Sequence, residues 1–124
     1  RVFFHPHHYP TEIVTAISKF DLGICIIPPS KYTYQAAIPN KIFQSIMAGQ
    51  GVIVGPSPAM AQLITDHGVG CVTSSFSSDS LVDTLNSLTT EKIREMRSRS
   101  QEAARVLNAE IEMAKMVGLF NKLL

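Results

Sequence analysis

The chain has 124 residues, of which 45% are apolar and 17% are charged, and this composition is typical of a globular domain rather than a disordered segment. Its net charge of +1 gives no support for nucleic-acid binding, which needs a basic face to neutralise phosphates. The longest apolar stretch, residues 22–29, is far too short to span a bilayer. Cys25 and Cys71 each lie in an apolar run, which predicts buried thiols rather than a disulfide.

The first third of the chain predicts a strand, a helix and a second strand. Residues 2–4 (Val-Phe-Phe) are expected to form a short buried strand, and apolar residues at helical spacing predict a helix over residues 11–20. Residues 22–27 are apolar on both faces, which is typical of a central parallel strand covered by helices on each side. Residues 30–37 are polar and are expected to form a loop.

The middle of the chain continues this alternation. Residues 39–48 predict a helix with a proline in its first turn, and Gly49 is expected to end it because glycine takes a positive φ without steric cost. Residues 52–54 and 69–73 predict short strands, and a helix is expected between them over residues 59–67.

The last third predicts helices only. A serine-rich cap precedes a helix over residues 80–88, and the chain from Thr90 is expected to be helical nearly to its end, with a break or bend at Gly118. The alternation predicts an α/β fold with a parallel sheet of about four strands. We therefore expect a single, partial, Rossmann-like domain over residues 1–124, with a helical tail over about residues 90–124.

A candidate anion site lies where the loop after Ile27 leads into the helix that starts near Pro39. Ligands of open parallel sheets bind at the carboxyl ends of the strands, and a helix N-terminus offers free N–H groups and a positive dipole end. Lys41 in the first turn opposes that dipole unless an anion is present, and Gln44 one turn further has an amide suited to a ribose hydroxyl. An ordinary surface lysine and a solvated glutamine are the alternative that the spacing leaves open.

Three segments resemble family 4 glycosyltransferases of the GT-B fold. Residues 39–54 look like the Pro-Asn-Lys, Leu/Ile-Phe-Glu, Ala-Gly, Pro-Val-Ile segment of that family. Residues 20–28 resemble its aspartate, apolar strand and proline element, and residues 59–70 resemble the helix and glycine that follow. The resemblance covers nearly the whole chain, although residues 91–124 match only in helical character.

The resemblance implies sugar transfer from a nucleotide-sugar donor, a UDP- or GDP-sugar, with retention and without a bound metal or cofactor. It implies that Lys41 and Asn40 bind the donor phosphates and that Gln44 binds the ribose. The loop that would hold the phosphates or the sugar contains Ser30, Tyr34, Ala36 and Pro39. No catalytic residue is assigned. The family's common role in polysaccharide assembly implies a glycan or lipid-linked acceptor, in the cytoplasm or at the periphery of the inner membrane.

Three departures from the family pattern keep other functions open. Gln44 stands where the family often has the ribose-binding glutamate, Ala36 stands where a glutamate contacts the donor sugar, and Gln62 is near the place of a third. These residues favour a rival function, a non-catalytic binding or assembly module with a vestigial phosphate site. A GT-B epimerase is a further alternative, although we find no carboxylates in the positions its catalysis needs.

The resemblance also implies that the chain is a fragment that is inactive alone. In the family two strands and a glycine-bearing loop would precede Val2, and an acceptor-binding domain would form the other wall of the cleft. Those two strands would lie between the Val2 strand and the Leu22 strand. We therefore expect the edge of the Leu22 strand to be covered by self-association or by the Val2 strand moving beside it.

Two further features have competing interpretations. His5, His7 and His8 lack nearby acidic or cysteine ligands, so we expect a loop near the donor or acceptor rather than a metal site. In the terminal helix, core packing against the sheet is the preferred prediction for its periodic apolar residues. The alternative is an interface with the missing domain or a second copy, formed by Met113, Met116, Leu119, Leu123 and Leu124.

Overall fold

A computed structural model describes residues 1–123 and has the predicted α/β fold. Strands β1 (Leu22–Cys25), β2 (Gly51–Val54) and β3 (Gly70–Val72) form one parallel sheet in the order β1-β2-β3. Gly23 pairs with Val52, and Ile53 pairs with Cys71. The sheet therefore has three strands rather than the four expected.

The described part of the chain has seven helices. They are α1 (Ile13–Ile17), α2 (Tyr32–Ala36), α3 (Asn40–Met47), α4 (Pro58–His67), α5 (Ser78–Asn86), α6 (Thr90–Ala103) and α7 (Ala109–Leu123). The predicted helices at 39–48, 59–67 and 80–88 are confirmed within two residues at each end. Gly49 ends α3 with a φ of 69°, as its lack of a side chain predicts.

The core lies around β2, whose four residues are all buried. Val52 and Val54 belong to one apolar cluster with Ile42 and Ile46 of α3, and Met60 of α4 joins the same cluster. Helix α6 crosses the amino end of β2. There the Ser100 hydroxyl donates to the Gln50 carbonyl at 2.6 Å.

The predicted strand at residues 2–4 is wrong. These residues have no regular structure and are exposed, and Phe4 is 96% exposed. A strand is stable only with a hydrogen-bonded neighbour, and within residues 1–123 none pairs with this segment. Within residues 1–123 the Val2 segment does not pair with β1, so β1 is an edge strand and not the central strand predicted from residues 22–27. Coverage of this edge by self-association stays a prediction.

The predicted loop at residues 30–37 contains the short helix α2, which has no buried residue and therefore no apolar stripe that periodicity could reveal. The predicted break at Gly118 is also wrong, because Gly118 lies inside α7. The break lies between α6 and α7. There Asn108 caps α7 by accepting from the Ile111 N–H at 3.0 Å and donates to the Ala104 carbonyl at 3.0 Å.

Helix α7 does not pack against the sheet. Met96 and Ala103 of α6 are buried, but every residue of Ala109–Leu123 is exposed. The prediction of core packing is therefore wrong for Ile111, Ala114, Val117 and Phe120. The interface alternative stays a prediction, and its member Leu124 lies outside the described residues.

Neither cysteine forms a disulfide within residues 1–123, where Cys25 is a buried free thiol and Cys71 a half-buried one. The Cys71 Sγ lies 3.7 Å from the Met96 Sδ. None of the described helices combines the length and apolar character needed to cross a bilayer.

Candidate functional site

The N-terminus of α3 lies at the carboxyl end of the sheet. Helix α3 leads into β2, which runs parallel to β1, so the helix must begin on the side where β1 ends. Its N-cap is Pro39, which is extended and makes no side-chain cap. The first intrahelical donor is the Ile42 N–H, which donates to the Pro39 carbonyl at 3.0 Å. The backbone N–H groups of Asn40 and Lys41 therefore have no acceptor within the helix.

Lys41 brings a positive charge to the same place. Its side chain is exposed, and no ion pair of residues 1–123 includes it. Burial raises the pKa of the Cys25 thiol, and the Lys41 ammonium opposes this by lowering it. Because Cys25 is the last residue of β1, the Lys41 charge lies near the carboxyl end of that strand.

Asn40 and Gln44 line an open groove of about 570 Å³ on the side of α3 that faces away from the core. Its other lining residues are Phe43, Met47, Leu63, Leu107, Asn108, Ala109 and Glu112. Lys41 is not part of the groove wall. The residues predicted to bind phosphate and ribose therefore occupy neighbouring faces of the first two turns of α3.

The predicted donor loop lies beside this helix start. Ser30 is exposed, and its N–H donates to the Pro28 carbonyl at 2.8 Å. Tyr34 and Ala36 belong to α2, and Ala36 is exposed. The hydroxyl of buried Ser57 donates to the Tyr34 carbonyl at 3.1 Å, which ties α2 to the start of α4.

Ser57 is a residue that the sequence analysis missed. The signal for it was available, because serine followed by proline is typical of a helix start, and Pro58 is the first residue of α4. Gln62 of α4 is exposed and lines none of the groove described above.

The carboxyl end of β3 differs from that of β1, because the hydroxyl groups that follow β3 already form hydrogen bonds within the chain. Thr73 donates to the Ser75 carbonyl at 2.7 Å, and Ser74 shares a hydrogen bond with Ser80 at 2.8 Å. Ser77 caps α5 by accepting from the Ser80 N–H at 3.2 Å. The first turn of α5 therefore has a side-chain cap and an acidic residue, Asp79, which disfavour a bound anion, whereas the first turn of α3 has neither and carries Lys41.

The cluster at the amino end of the sheet is structural. Arg97 of α6 forms an ion pair with Asp21 and also donates to the Gly49 carbonyl at 3.1 Å. The Gln50 side chain, which is buried, donates to the Ile17 carbonyl at 2.9 Å. These contacts fix α1 and α6 to the sheet at the end opposite to the α3 start.

His5, His7 and His8 lie on the exposed N-terminal segment. His5 contacts the edge of the Phe20 ring, with centroids 5.7 Å apart, and His7 contacts Tyr9 in the same manner at 6.4 Å. Within residues 1–123 no three His, Cys, Asp or Glu side chains are grouped as a metal site would need.

Comparison of the chain with protein-family models, with curated proteins and with solved structures found no match. The functional argument consequently depends on the geometry of α3 and on the motif it carries.

Proposed function

We propose that this chain is the donor-binding part of a GT-B glycosyltransferase, with the start of α3 as its diphosphate site. One observation is the main support for this proposal. Lys41 lies in the first turn of an uncapped helix at the carboxyl end of a parallel sheet. A lysine there is unfavourable beside the positive dipole end unless an anion binds, and a nucleoside diphosphate is such an anion.

The chemistry available at this site matches the donor. The Asn40 and Lys41 N–H groups would donate to phosphate oxygens, and the Lys41 ammonium would neutralise charge that develops on the departing diphosphate. Gln44 in the neighbouring groove offers an amide for a ribose hydroxyl. The groove, at about 570 Å³, has the size of a small-molecule site.

In the intact protein we propose transfer of the sugar to a glycan or lipid-linked acceptor. The acceptor would be held by a further domain, and the reaction would take place in the cytoplasm or at the inner face of the membrane. Surface polysaccharide assembly is the role that we assign to this activity.

The rival proposal is a non-catalytic α/β module with a vestigial phosphate site. Ala36 favours it, because this residue is exposed beside the helix start and has no polar side chain for a sugar hydroxyl. Gln44 favours it as well, since an amide binds a ribose hydroxyl more weakly than a carboxylate does.

Calorimetric titration with UDP, GDP and UDP-glucose tests the proposal. We expect saturable binding that is weakened about tenfold or more in Lys41→Ala, because a charge-assisted hydrogen bond is lost. Lys92→Ala removes the same charge from the exposed face of α6 and should leave binding within about twofold of native. Equal binding by the native chain and Lys41→Ala would contradict the assignment.

Gln44→Glu separates the two proposals. In a working donor site the added carboxylate accepts a charge-assisted hydrogen bond from the ribose, so UDP should bind more tightly than to the native chain. Inorganic pyrophosphate has no ribose and is the control ligand, for which the same change should give no gain. A vestigial site would show no gain for either ligand.

A further inference from the structure

Helix α7 carries large apolar side chains that nothing in the described chain covers. Met116 is 49% exposed, Phe120 is 61% exposed and Leu123 is 82% exposed. A helix of 15 residues with no buried side chain is marginal in water, so α7 needs a surface to pack against.

The spacing of these side chains is that of a helix-pairing seam. Ala109, Met113, Met116, Phe120 and Leu123 follow one another at intervals of four, three, four and three residues. A repeat that averages 3.5 residues places all of them on one stripe, as the a and d positions of a coiled coil are placed. Val117 and Leu119 flank the stripe and widen its apolar surface. The partner that this pattern fits is another amphipathic helix.

The charges at the two ends of α7 favour one orientation, parallel or antiparallel, when it packs against an identical helix. Its first turn holds Glu110 and Glu112, and its last turn holds Lys122. Glu112 forms an ion pair with Lys115 of the same helix, so the first half of α7 keeps a net charge of minus one, and parallel pairing would place two such charges together at one end. Antiparallel pairing separates them and places each acidic end near the basic end of the partner, with the helix dipoles also opposed.

We propose that this face of α7 is the contact surface of a homodimer, in which the α7 helices of two copies pack antiparallel about a two-fold axis. With the axis near Gly118, alternation of a and d layers places Met113 opposite the partner's Leu123. It likewise places Met116 opposite the partner's Phe120. The surface is self-complementary, as a two-fold interface requires.

Sedimentation equilibrium of the full chain over a range of concentrations tests the dimer. We expect a concentration-dependent dimer, and Met116→Glu with Phe120→Glu should weaken it more than about a hundredfold by burying two charges per copy. The fold should survive, because neither side chain belongs to the core. Its melting temperature should therefore match that of the native chain at concentrations where both are monomeric.

Asn121→Glu is the matched control. It adds one carboxylate to α7 outside the stripe and should leave the dimer within about twofold of native. A native chain that stays monomeric throughout would overturn the proposal, including the case in which it binds lipid vesicles through the same face. A dimer unaffected by the two stripe substitutions would overturn it equally.

Cysteine cross-linking in a Cys71→Ala background tests the orientation. Antiparallel pairing predicts a disulfide-linked dimer for a mixture of Met113→Cys and Leu123→Cys chains, and none for either chain alone. Parallel pairing predicts the opposite, since each introduced cysteine would then face its own copy. Cys25 is buried and stays unchanged.

Discussion

Lys41 of α3 lies close enough to Cys25 at the end of β1 for its charge to act on the thiol, although burial has the larger and opposite effect. The Lys41 ammonium therefore lies near the carboxyl end of β1. This proximity also makes Cys25 a reporter of the charge at the proposed diphosphate site.

We therefore predict that Cys25 reacts slowly with iodoacetamide and that Lys41→Ala makes it slower still. Burial raises the thiol pKa, and removing Lys41 removes the effect that lowers it. Mass spectrometry of the rate against pH, in a Cys71→Ala background, measures this. A faster reaction in Lys41→Ala than in the native chain, with equal stability, would show that the charge does not act on the thiol.

The same raised pKa has a consequence for stability. The neutral thiol is favoured in the folded state, so its contribution is fully present below the pKa of the unfolded thiol and is lost as the pH rises through the folded pKa. The stabilities of the native chain and of Cys25→Ala should therefore diverge only at alkaline pH, above the pKa of the unfolded thiol. Urea unfolding at several pH values measures the difference, and parallel pH profiles would contradict it.

Ser100→Ala should destabilise the fold by about 1–3 kcal/mol, because it leaves the buried Gln50 carbonyl without its donor. Urea unfolding followed by circular dichroism gives the free energy of unfolding. The control is Ser98→Ala on the exposed side of α6, which should change it by less than about 0.5 kcal/mol. Equal effects of the two substitutions would mean that the hydrogen bond is unimportant.

Gly70→Ala should disrupt the pairing of β3 with β2. A Cβ at Gly70 would clash with the Val52 carbonyl, which is backbone and cannot turn away. Gly118→Ala meets open space and should instead raise the helix content, since alanine is favoured over glycine in a helix by about 1 kcal/mol. Thermal unfolding and circular dichroism compare the two, and an unchanged melting temperature for Gly70→Ala would contradict the strand register.

Asn108→Ala should shorten α7 from its beginning, because the Ile111 N–H loses its acceptor. Caps of this kind contribute about 1 kcal/mol to a helix. Hydrogen exchange of the first-turn amides of α7 measures the effect, with Asn86→Ala at the end of α5 as a control. Unchanged protection would show that this cap does not hold the helix start.

The sequence predicted the parts of the fold that local chemistry determines. Pro39 and Gly49 bound α3 because one is suited to a helix start and the other adopts the positive φ at its end. The apolar run of residues 52–54 predicted a short buried strand, and β2 is one. The place of Lys41 in the first turn of α3 was likewise predictable, whereas phosphate binding by Lys41 stays a prediction.

The errors concern contacts between distant segments. Residues 2–4 have strand-forming side chains, but a strand also needs a neighbour that periodicity does not reveal. The apolar residues of α7 are periodic, yet the pattern does not tell whether the same chain or another covers them. The cap at Asn108 was readable, since asparagine before an acidic first turn is typical of a helix start.

The most direct test of the diphosphate site is a map of backbone amide chemical shifts in the 15N-labelled chain during titration with UDP. We predict that the Asn40 and Lys41 amides show the largest changes, with Gln44 following, and that they saturate together. The capped start of α5 should change little, because the acidic Asp79 in its first turn repels an anion. Largest changes at the serine-rich loop after β3, or none at Asn40 and Lys41 with UDP in excess, would contradict the account.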